Sequence, residues 1–145
     1  MQATAVRREV TVGAAPERAF AVFADEIDRW WPRDYSIGEE PLDRIVIEPA
    51  RWLEVGERGG ECVWGGVLAY EPGRRLVLEW GIGGDWQLDS ARSEIEVTFE
   101  AVEGGTRVTV EHRGLERHTA AEALRESIDG DGGWDALLAA YSAAV

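Results

Sequence analysis

The chain has 145 residues, of which 45% are apolar and 30% charged, a composition typical of a single globular domain covering residues 1–145. Its 28 acidic and 15 basic residues give a formal net charge of −13, which argues against nucleic acid and anionic membrane surfaces as partners. All 15 basic residues are arginine, and this excludes chemistry that requires a Schiff-base or phosphate-binding lysine.

Cysteine and histidine are scarce in this sequence. Cys62 is the only cysteine, so we expect neither an internal disulfide nor a thiolate zinc site. His112 and His118 are the only histidines, and they lack the i, i+4 spacing of a helical metal motif. We therefore expect no metal and no cofactor. The first 20 residues contain no apolar signal segment and no stretch is long enough to span a bilayer, so the expected location is cytoplasmic.

The N-terminal part of the chain predicts one strand followed by two short helices. Apolar and polar residues alternate over 4–12, which predicts a strand. Proline at position 16 is typical of a first helical turn, and a helix is predicted over 16–24. A second helical stretch is predicted over 25–31, where the next proline ends it, and 33–42 is predicted to be a loop.

Six further strands follow, separated by turns rich in glycine and proline. Their predicted ranges are 44–48, 51–56, 61–71, 75–82, 93–101 and 106–113. The paired glycines at 65 and 66 indicate a bulge or a close backbone approach. The last two strands alternate apolar and charged residues, which predicts a hairpin with a polar outer face. Arg107 and Arg113 are expected to offset the repulsion among the glutamates of the preceding strand.

The hydrophobic period becomes helical in the last quarter of the chain. Helices are predicted over 117–128 and 133–144, with the DGDGG segment 129–133 between them; the alternative is one long helix broken at the glycines. The complete order predicts an α+β fold. In it, a curved antiparallel sheet of about seven strands wraps around the C-terminal helical segment, the only element long enough to cover its apolar face.

Several short strings occur in a characteristic order along the chain. They are Val10 to Phe23 with Pro16-Glu17, Trp30-Trp31-Pro32, Gly66-Val67 with Glu71-Pro72, Arg75 to Leu78 with Trp80, Gly104 to Val110 with His112 and Gly114-Leu115, and Gly133-Trp134 with Leu137-Leu138. Together these strings resemble the START-like (SRPBCC) superfamily, and most closely the branch named for its likeness to the activator of the heat-shock chaperone ATPase.

The resemblance implies a helix-grip fold with a cavity between the sheet and a long C-terminal helix. Members of the superfamily mostly bind apolar or polycyclic small molecules there; some catalyse cyclisation, and some act on chaperones. No catalytic motif runs through this branch, so no catalytic residue is carried over. The expected function is binding of an apolar or aromatic small molecule. The alternatives are a cyclase, dehydratase or hydrolase that uses the same cavity, or a stress-response protein with a chaperone partner; a homodimer is left open.

Seven tryptophans invite two interpretations, because indoles can fill a core or line a ligand cavity. Trp64 and Trp80 share the strand phase of Leu68 and Leu76, which predicts that all four face inward. Trp31 and Trp52 are expected to be structural. The predicted ligand-binding residues are Trp30, Trp64, Trp80, Trp86, His112, Trp134, Leu138 and Tyr141.

The histidines have different predicted roles. His112 is in phase with two inward valines, so it is expected to be a structural residue or, if it faces the cavity, a polar anchor and the sole candidate base. His118 is expected to be solvated. The sequence pairs no serine or cysteine with a base and identifies no buried carboxylate. Trp30, Trp31 and Tyr35 are the candidate exposed patch for a protein partner.

Overall fold

The computed structural model describes residues 5–145, so residue 4, where the first strand was predicted to begin, lies outside the described residues. Within 5–145 the chain forms seven strands and three α-helices. The strands are β1 Val6–Val12, β2 Leu42–Ile47, β3 Arg51–Gly56, β4 Glu61–Glu71, β5 Arg75–Ile82, β6 Leu88–Val102 and β7 Gly105–Arg113. The helices are α1 Pro16–Ala24, α2 Ala121–Asp129 and α3 Trp134–Ala144, and no helix among these residues is long and apolar enough to cross a membrane.

All seven strands belong to one curved antiparallel sheet with the order β1-β7-β6-β5-β4-β3-β2. Consecutive strands from β2 to β7 pair as neighbours, and β1 joins the far edge by pairing with β7. The hairpin β6–β7 has the predicted polar face, which is confirmed by two ion pairs: Arg107 with Glu100 at 2.7 Å and Arg113 with Glu94 at 3.0 Å.

Two bulges in β4 alter the phase that the sequence predicts. Trp52 pairs with Gly65 while Leu53 pairs with Val63, so Trp64 is an extra residue in the strand. A second shift, between β4 and β5, makes Leu68 another extra residue. Trp64 is therefore buried at 1% exposure whereas Leu68 is 54% exposed. The prediction that these two side chains share a face was wrong, because each bulge reverses the alternation of the strand.

Gly65 lies inside the first bulge, where β4 approaches β5 closely. A Cβ atom at this position would stand 2.1 Å from the carbonyl oxygen of Glu79. Only glycine fits this approach without moving the backbone. The same carbonyl accepts a hydrogen bond of 2.6 Å from the indole of Trp52, which fixes this corner of the sheet.

The C-terminal helical segment is two helices and not one long helix. A Cβ at Gly133 would lie 2.0 Å from the carbonyl of Ile128, so the chain turns sharply at the glycines between α2 and α3. Arg8 on β1 holds the break in place: its guanidinium lies 2.7 Å from Asp129 at the end of α2 and 2.9 Å from Asp135 at the start of α3. The helix that grips the sheet is therefore only α3, 11 residues long.

Other element boundaries differ modestly from the predictions. The second helical stretch is a single 3₁₀ turn, Ile27–Arg29, and the predicted loop contains another, Arg33–Tyr35. Strand β6 begins at Leu88, five residues before its predicted start. α3 is attached to α1 by a hydrogen bond of 2.7 Å from the Tyr141 hydroxyl to the carbonyl of Ala19. Both helices thus cover the same apolar face of the sheet.

Candidate functional site

An open cavity of about 670 Å³ lies between β4–β5, the segment 31–37 and the α2–α3 break. Four tryptophans contribute to its wall, together with aliphatic and polar residues. The apolar lining residues are Trp31, Trp64, Trp80, Trp86, Ile37, Ile82, Ile128 and Leu137. Three acidic residues, Asp34, Glu126 and Asp131, also contribute to the lining. The volume is within the range of small-molecule pockets.

The indoles form a continuous aromatic wall. The ring of Trp64 lies 5.6 Å from that of Trp31 and 6.4 Å from that of Trp80, measured between centroids. Trp52 packs edge-on behind Trp64 at 4.9 Å and is itself fully buried. Such T-shaped pairs are favourable arrangements of aromatic rings, so the wall is rigidly supported from the core.

Trp86 differs from the other indoles of the wall. It lies in the loop between β5 and β6, is 45% exposed, and has a left-handed backbone with φ of 58°. A large L-residue rarely adopts this conformation, which costs about 1–3 kcal/mol. The loop thus holds an aromatic side chain at the cavity at an energetic cost, while much of its surface stays in contact with water.

Hydrogen bonds of the wall indoles leave one buried donor without an acceptor within residues 5–145. Trp80 donates to the carbonyl of Ile82 at 2.8 Å, and Trp64 donates to Glu54 Oε1 at 3.2 Å. The Nε1–H of Trp31 is buried and has no acceptor within residues 5–145. A buried donor without a partner costs about 1–3 kcal/mol, so Trp31 is the polar group of this wall most in need of an acceptor.

Only some of the predicted ligand-binding residues line the cavity. Trp64, Trp80 and Trp86 line the cavity. The other five members are buried in the core and are absent from the cavity wall: Trp30, His112, Trp134, Leu138 and Tyr141. Trp31, which was expected to be structural and not a ligand-binding residue, does line the cavity. It follows a 3₁₀ turn, where strand or helix phase gives no guide to the direction of a side chain.

His112 belongs to the core instead of the cavity wall. It is fully buried on β7 and accepts a hydrogen bond from the Trp134 indole at Nδ1, 3.2 Å away. Its Nε2 lies 2.9 Å from Ser93 Oγ. Because Nδ1 is an acceptor, the neutral imidazole must carry its proton on Nε2 and donate it to the serine. Burial lowers the pKa of His112 to about 3, which keeps the ring neutral near pH 7.

The prediction that His118 is solvated was wrong. Its ring is buried, with Nε2 2.8 Å from Ser93 Oγ and Nδ1 3.4 Å from Asp89 Oδ2. Ser93 thus joins both histidines, although the sequence pairs no serine with a base. Ser93 is 19 residues from His112 and 25 from His118, and it meets them because β6 pairs with β7 and the chain then folds back. Burial is also the main cause that lowers the pKa of His118.

A buried hydrogen-bonded network follows from these contacts. Trp134 donates to His112 and His112 donates to Ser93, whose hydroxyl also lies 2.8 Å from His118 Nε2 and 3.5 Å from the carbonyl of Trp80. The Nδ1 of His118 lies 3.4 Å from Asp89 Oδ2 and has no hydrogen-bond partner within residues 5–145. Backbone N–H groups of Ala91 and Thr119 hold the pKa of Asp89 at about 2, so an anion stands beside the network. Ser93 is fully buried and absent from the cavity wall, so the arrangement resembles a nucleophilic triad in its pairing but offers no accessible nucleophile.

A second cavity of about 650 Å³ adjoins the first and has a different character. Four glutamates contribute to its lining: Glu39, Glu40, Glu54 and Glu61. Glu54 is the functional candidate that the sequence did not identify; it is 3% exposed and accepts hydrogen bonds at Oε1 from the Trp64 indole and from the Ile37 backbone at 2.7 Å. Glu54 is two residues after Trp52 on β3, so the two side chains lie on the same face of the strand. This alternation was the sequence signal that could have identified Glu54 as a buried carboxylate. Cys62 also lines this cavity, and burial raises the pKa of its thiol.

The predicted exposed patch is not formed. Trp30 and Trp31 are buried at 5% and 3% exposure, and only Tyr35 has an accessible ring. The Tyr35 hydroxyl donates to the carbonyl of Gly132 at 2.6 Å, so it bridges the segment 33–37 and the α2–α3 break across the cavity. These two tryptophans were misassigned because two adjacent indoles before a proline do not reveal which elements will cover them.

The curved seven-stranded sheet with three helices packed against it is the helix-grip architecture of the START-like (SRPBCC) superfamily. Within that class, residues 13–143 match the family described as activator of Hsp90 ATPase homolog 1-like protein. The chain belongs to this family.

Solved structures of similar proteins agree with this assignment. One is an anthrahydroquino-γ-pyrone synthase, Txn09, which is 33% identical, with a TM-score of 0.65 and coverage of 99% of this chain and 98% of the other. A second is CalC of Micromonospora echinospora, a self-sacrificing resistance protein, with 31% identity, a TM-score of 0.70 and coverage of 97% and 92%. The AHSA1 protein of Silicibacter pomeroyi, at 23% identity, a TM-score of 0.62 and coverage of 97% and 96%, shares the fold. No protein with a curated description matches this chain in sequence.

Proposed function

We propose that this protein binds a fused-ring aromatic small molecule in the tryptophan-walled cavity. The observation that carries the proposal is the cavity itself, which has a volume of about 670 Å³ and four indoles in its wall. Flat aromatic faces favour stacking or edge-on contact with another ring system. A tightly packed core has no room for a guest, whereas this cavity opens to solvent.

The likeness to Txn09 supports a fused-ring ligand. That protein is named as the synthase of an anthrahydroquino-γ-pyrone, a fused-ring compound that contains oxygen in its ring system. It is 33% identical to this chain over almost the full length of both. A molecule of this class has the flat surface that the indoles favour and carbonyl oxygens that accept hydrogen bonds.

The polar anchor of the proposed complex is Trp31. Its indole N–H is buried and without an acceptor within residues 5–145, and its ring lines the cavity. A ligand carbonyl that reaches this donor would satisfy it and gain orientation. This role replaces the one considered for His112, whose two nitrogens are already engaged by Trp134 and Ser93.

Two adjacent tryptophans provide a matched test of this proposal. We expect hydroxyanthraquinone, titrated against the protein by calorimetry, to bind, and Trp31→Phe to weaken its binding about tenfold by removing the hydrogen bond. Trp30→Phe is the control, because Trp30 is buried beside Trp31 but donates to the carbonyl of Val22 and does not line the cavity. No binding to the unmodified protein, or equal losses in both variants with unchanged thermal stability, would contradict the proposal.

A reaction on the bound molecule is a second candidate function, which the name of Txn09 as a synthase supports. His112 is poorly placed as its base, because it is fully buried and its pKa is lowered to about 3. Glu54, at the wall of the adjoining cavity, is the better candidate for proton transfer. If turnover of a panel of linear and cyclic polyketone substrates is found, Glu54→Gln should abolish it and His112→Gln should not.

A chaperone partner follows only from the name of the family, an activator of the Hsp90 ATPase. The surface proposed for it from the sequence is lost, since Trp30 and Trp31 are buried. Stimulation of chaperone ATPase activity by the purified protein would support this role directly, and its absence at low salt, where the acidic surface acts most strongly, would count against it.

A further inference from the structure

The two cavities are neighbours along three segments of the chain. Residues 36–38 pass from the wall of the first cavity to that of the second, with Ile37 lining both. Trp64 lines the first and Cys62 the second, and Trp86 lines the first while the next two residues line the second. A ligand in the tryptophan-walled cavity therefore has an acidic compartment directly beside it.

The charge of both walls has a single sign. Three carboxylates line the first cavity and four line the second, yet none of the 15 arginines contributes to either wall as described. Arginines are abundant elsewhere, where they pair with carboxylates on the outer face of the sheet. An anionic guest would meet only like charge in these cavities, whereas a cation would be attracted.

Glu54 is the position where this excess of negative charge most clearly lacks a positive partner. Both of its hydrogen bonds are accepted at Oε1, and within residues 5–145 Oε2 has neither a donor nor a basic partner. Glu54 and Gly38 both line the second cavity, and a Cβ atom at Gly38 would lie 2.9 Å from Oε2. A carboxylate that is 3% exposed and lacks a cation is costly, and a positively charged group would compensate it.

We infer that the ligand is an aromatic molecule that carries a cationic amine, with its rings against the tryptophans and its ammonium group directed to Glu54. This inference rests on the proposed function and adds the charge of the ligand to it. The indole faces support the same choice, because the electron-rich face of an aromatic ring attracts a cation as well as another ring. Glycine at position 38 leaves the approach to Oε2 free of a side chain.

Three probes of equal size but different charge test the inference: anthracene methylamine, anthracene methanol and anthracene carboxylate. Their binding is followed by their own fluorescence. We expect the amine to bind about tenfold more tightly than the alcohol, as a charge-assisted hydrogen bond provides, and the carboxylate to bind least. Glu54→Gln should bring the affinity for the amine close to that for the alcohol, whereas Glu100→Gln removes the same charge from the outer sheet face and should preserve the preference.

The outcomes separate the two proposals. Equal affinities for the three probes would overturn the inference and leave the aromatic cavity intact as a binding site. A preference for the amine that survives Glu54→Gln and disappears at high salt would also overturn it, since the general acidic field of the protein would then be the cause. Failure of all three probes to bind would overturn both the inference and the proposed function.

Discussion

Trp134 donates its indole N–H to Nδ1 of His112, with 3.2 Å between the two nitrogens. This bond connects the first residue of α3 to β7, next to the break at which the wall of the cavity turns. Because Nδ1 accepts, the imidazole donates from Nε2 to Ser93, whose hydroxyl also lies 2.8 Å from His118 Nε2. α3, β7 and β6 are thereby joined through one buried network.

The network predicts a large stability loss when His112 is replaced by a residue that cannot hydrogen-bond. His112→Leu leaves the buried Trp134 N–H and the Ser93 hydroxyl each short of a partner, so we expect a loss of about 2–4 kcal/mol in the free energy of unfolding. Urea unfolding measures it. His112→Gln, which keeps an acceptor and a donor, should lose clearly less, and equal losses would show that packing alone determines the effect.

The free energy of unfolding should decrease in acid, because the buried ring of His112 is neutral in the folded protein. Its pKa is about 3 in the folded protein against 6.5 for an ordinary histidine. Between these values only the unfolded state binds the proton, so the contribution of His112 is complete above pH 6.5 and declines as the pH falls towards 3. The expected slope from this group approaches about 1.4 kcal/mol per pH unit.

The histidine variant also tests this pH dependence. Urea unfolding at about pH 7 and about pH 4.5 should show a smaller stability difference for His112→Gln than for the unmodified protein, since glutamine does not titrate. Asp89 acts in the same direction at lower pH: its pKa is lowered to about 2 from 3.8, so its contribution is present above 3.8 and is lost below that value. Identical pH slopes in the two proteins would contradict the assignment to His112.

Trp86 should contribute to ligand binding more than to folding. Its ring is 45% exposed and lines the cavity, so Trp86→Ala removes contact area for the ligand and little buried surface of the core. We expect about tenfold weaker binding of hydroxyanthraquinone, with the free energy of unfolding changed by less than about 1 kcal/mol. Leu68→Ala, which shortens an equally exposed side chain that is absent from the cavity wall, should leave the affinity unchanged.

The hydroxyl of Tyr35 should slow the exchange of ligand. It donates a hydrogen bond to the carbonyl of Gly132 across the cavity, so Tyr35→Phe removes one connection between two walls of the cavity and lets them separate more easily. We expect release of the bound probe to accelerate about threefold to tenfold in stopped-flow measurements. Tyr70→Phe is the matched control, because its hydroxyl bonds to Asp25 away from the cavity. Equal release rates in both variants would exclude this role.

Local periodicity was sufficient to predict most of the fold. Alternating residues such as Val97, Phe99 and their charged neighbours predict β6 and its polar face, because the side chains of a regular strand point to opposite sides. Pro16 marks the start of α1 in the same local manner. The order of these elements was then enough to predict a curved antiparallel sheet around a C-terminal helical segment, and the resemblance to the START-like superfamily implied the helix-grip fold.

The cavity could be predicted only in part. Trp64 and Trp80 were placed facing inward, yet the reason for Trp64 was a phase with Leu68 that the bulges in β4 remove. Trp31 and Glu54 were missed as lining residues. Their roles depend on which segments meet across the sheet, and no local pattern contains that information.

The sequence by itself determined the strands, the position of the helices, the acidic charge and the abundance of indole, because each is a property of neighbouring residues or of composition. Tertiary structure alone decided that His112, Ser93 and His118 join in one hydrogen-bonded chain and that a buried carboxylate stands beside the aromatic cavity. The physical reason is that burial and hydrogen-bond partners are set by contacts between residues distant along the chain, which exist only after the sheet has closed on α3.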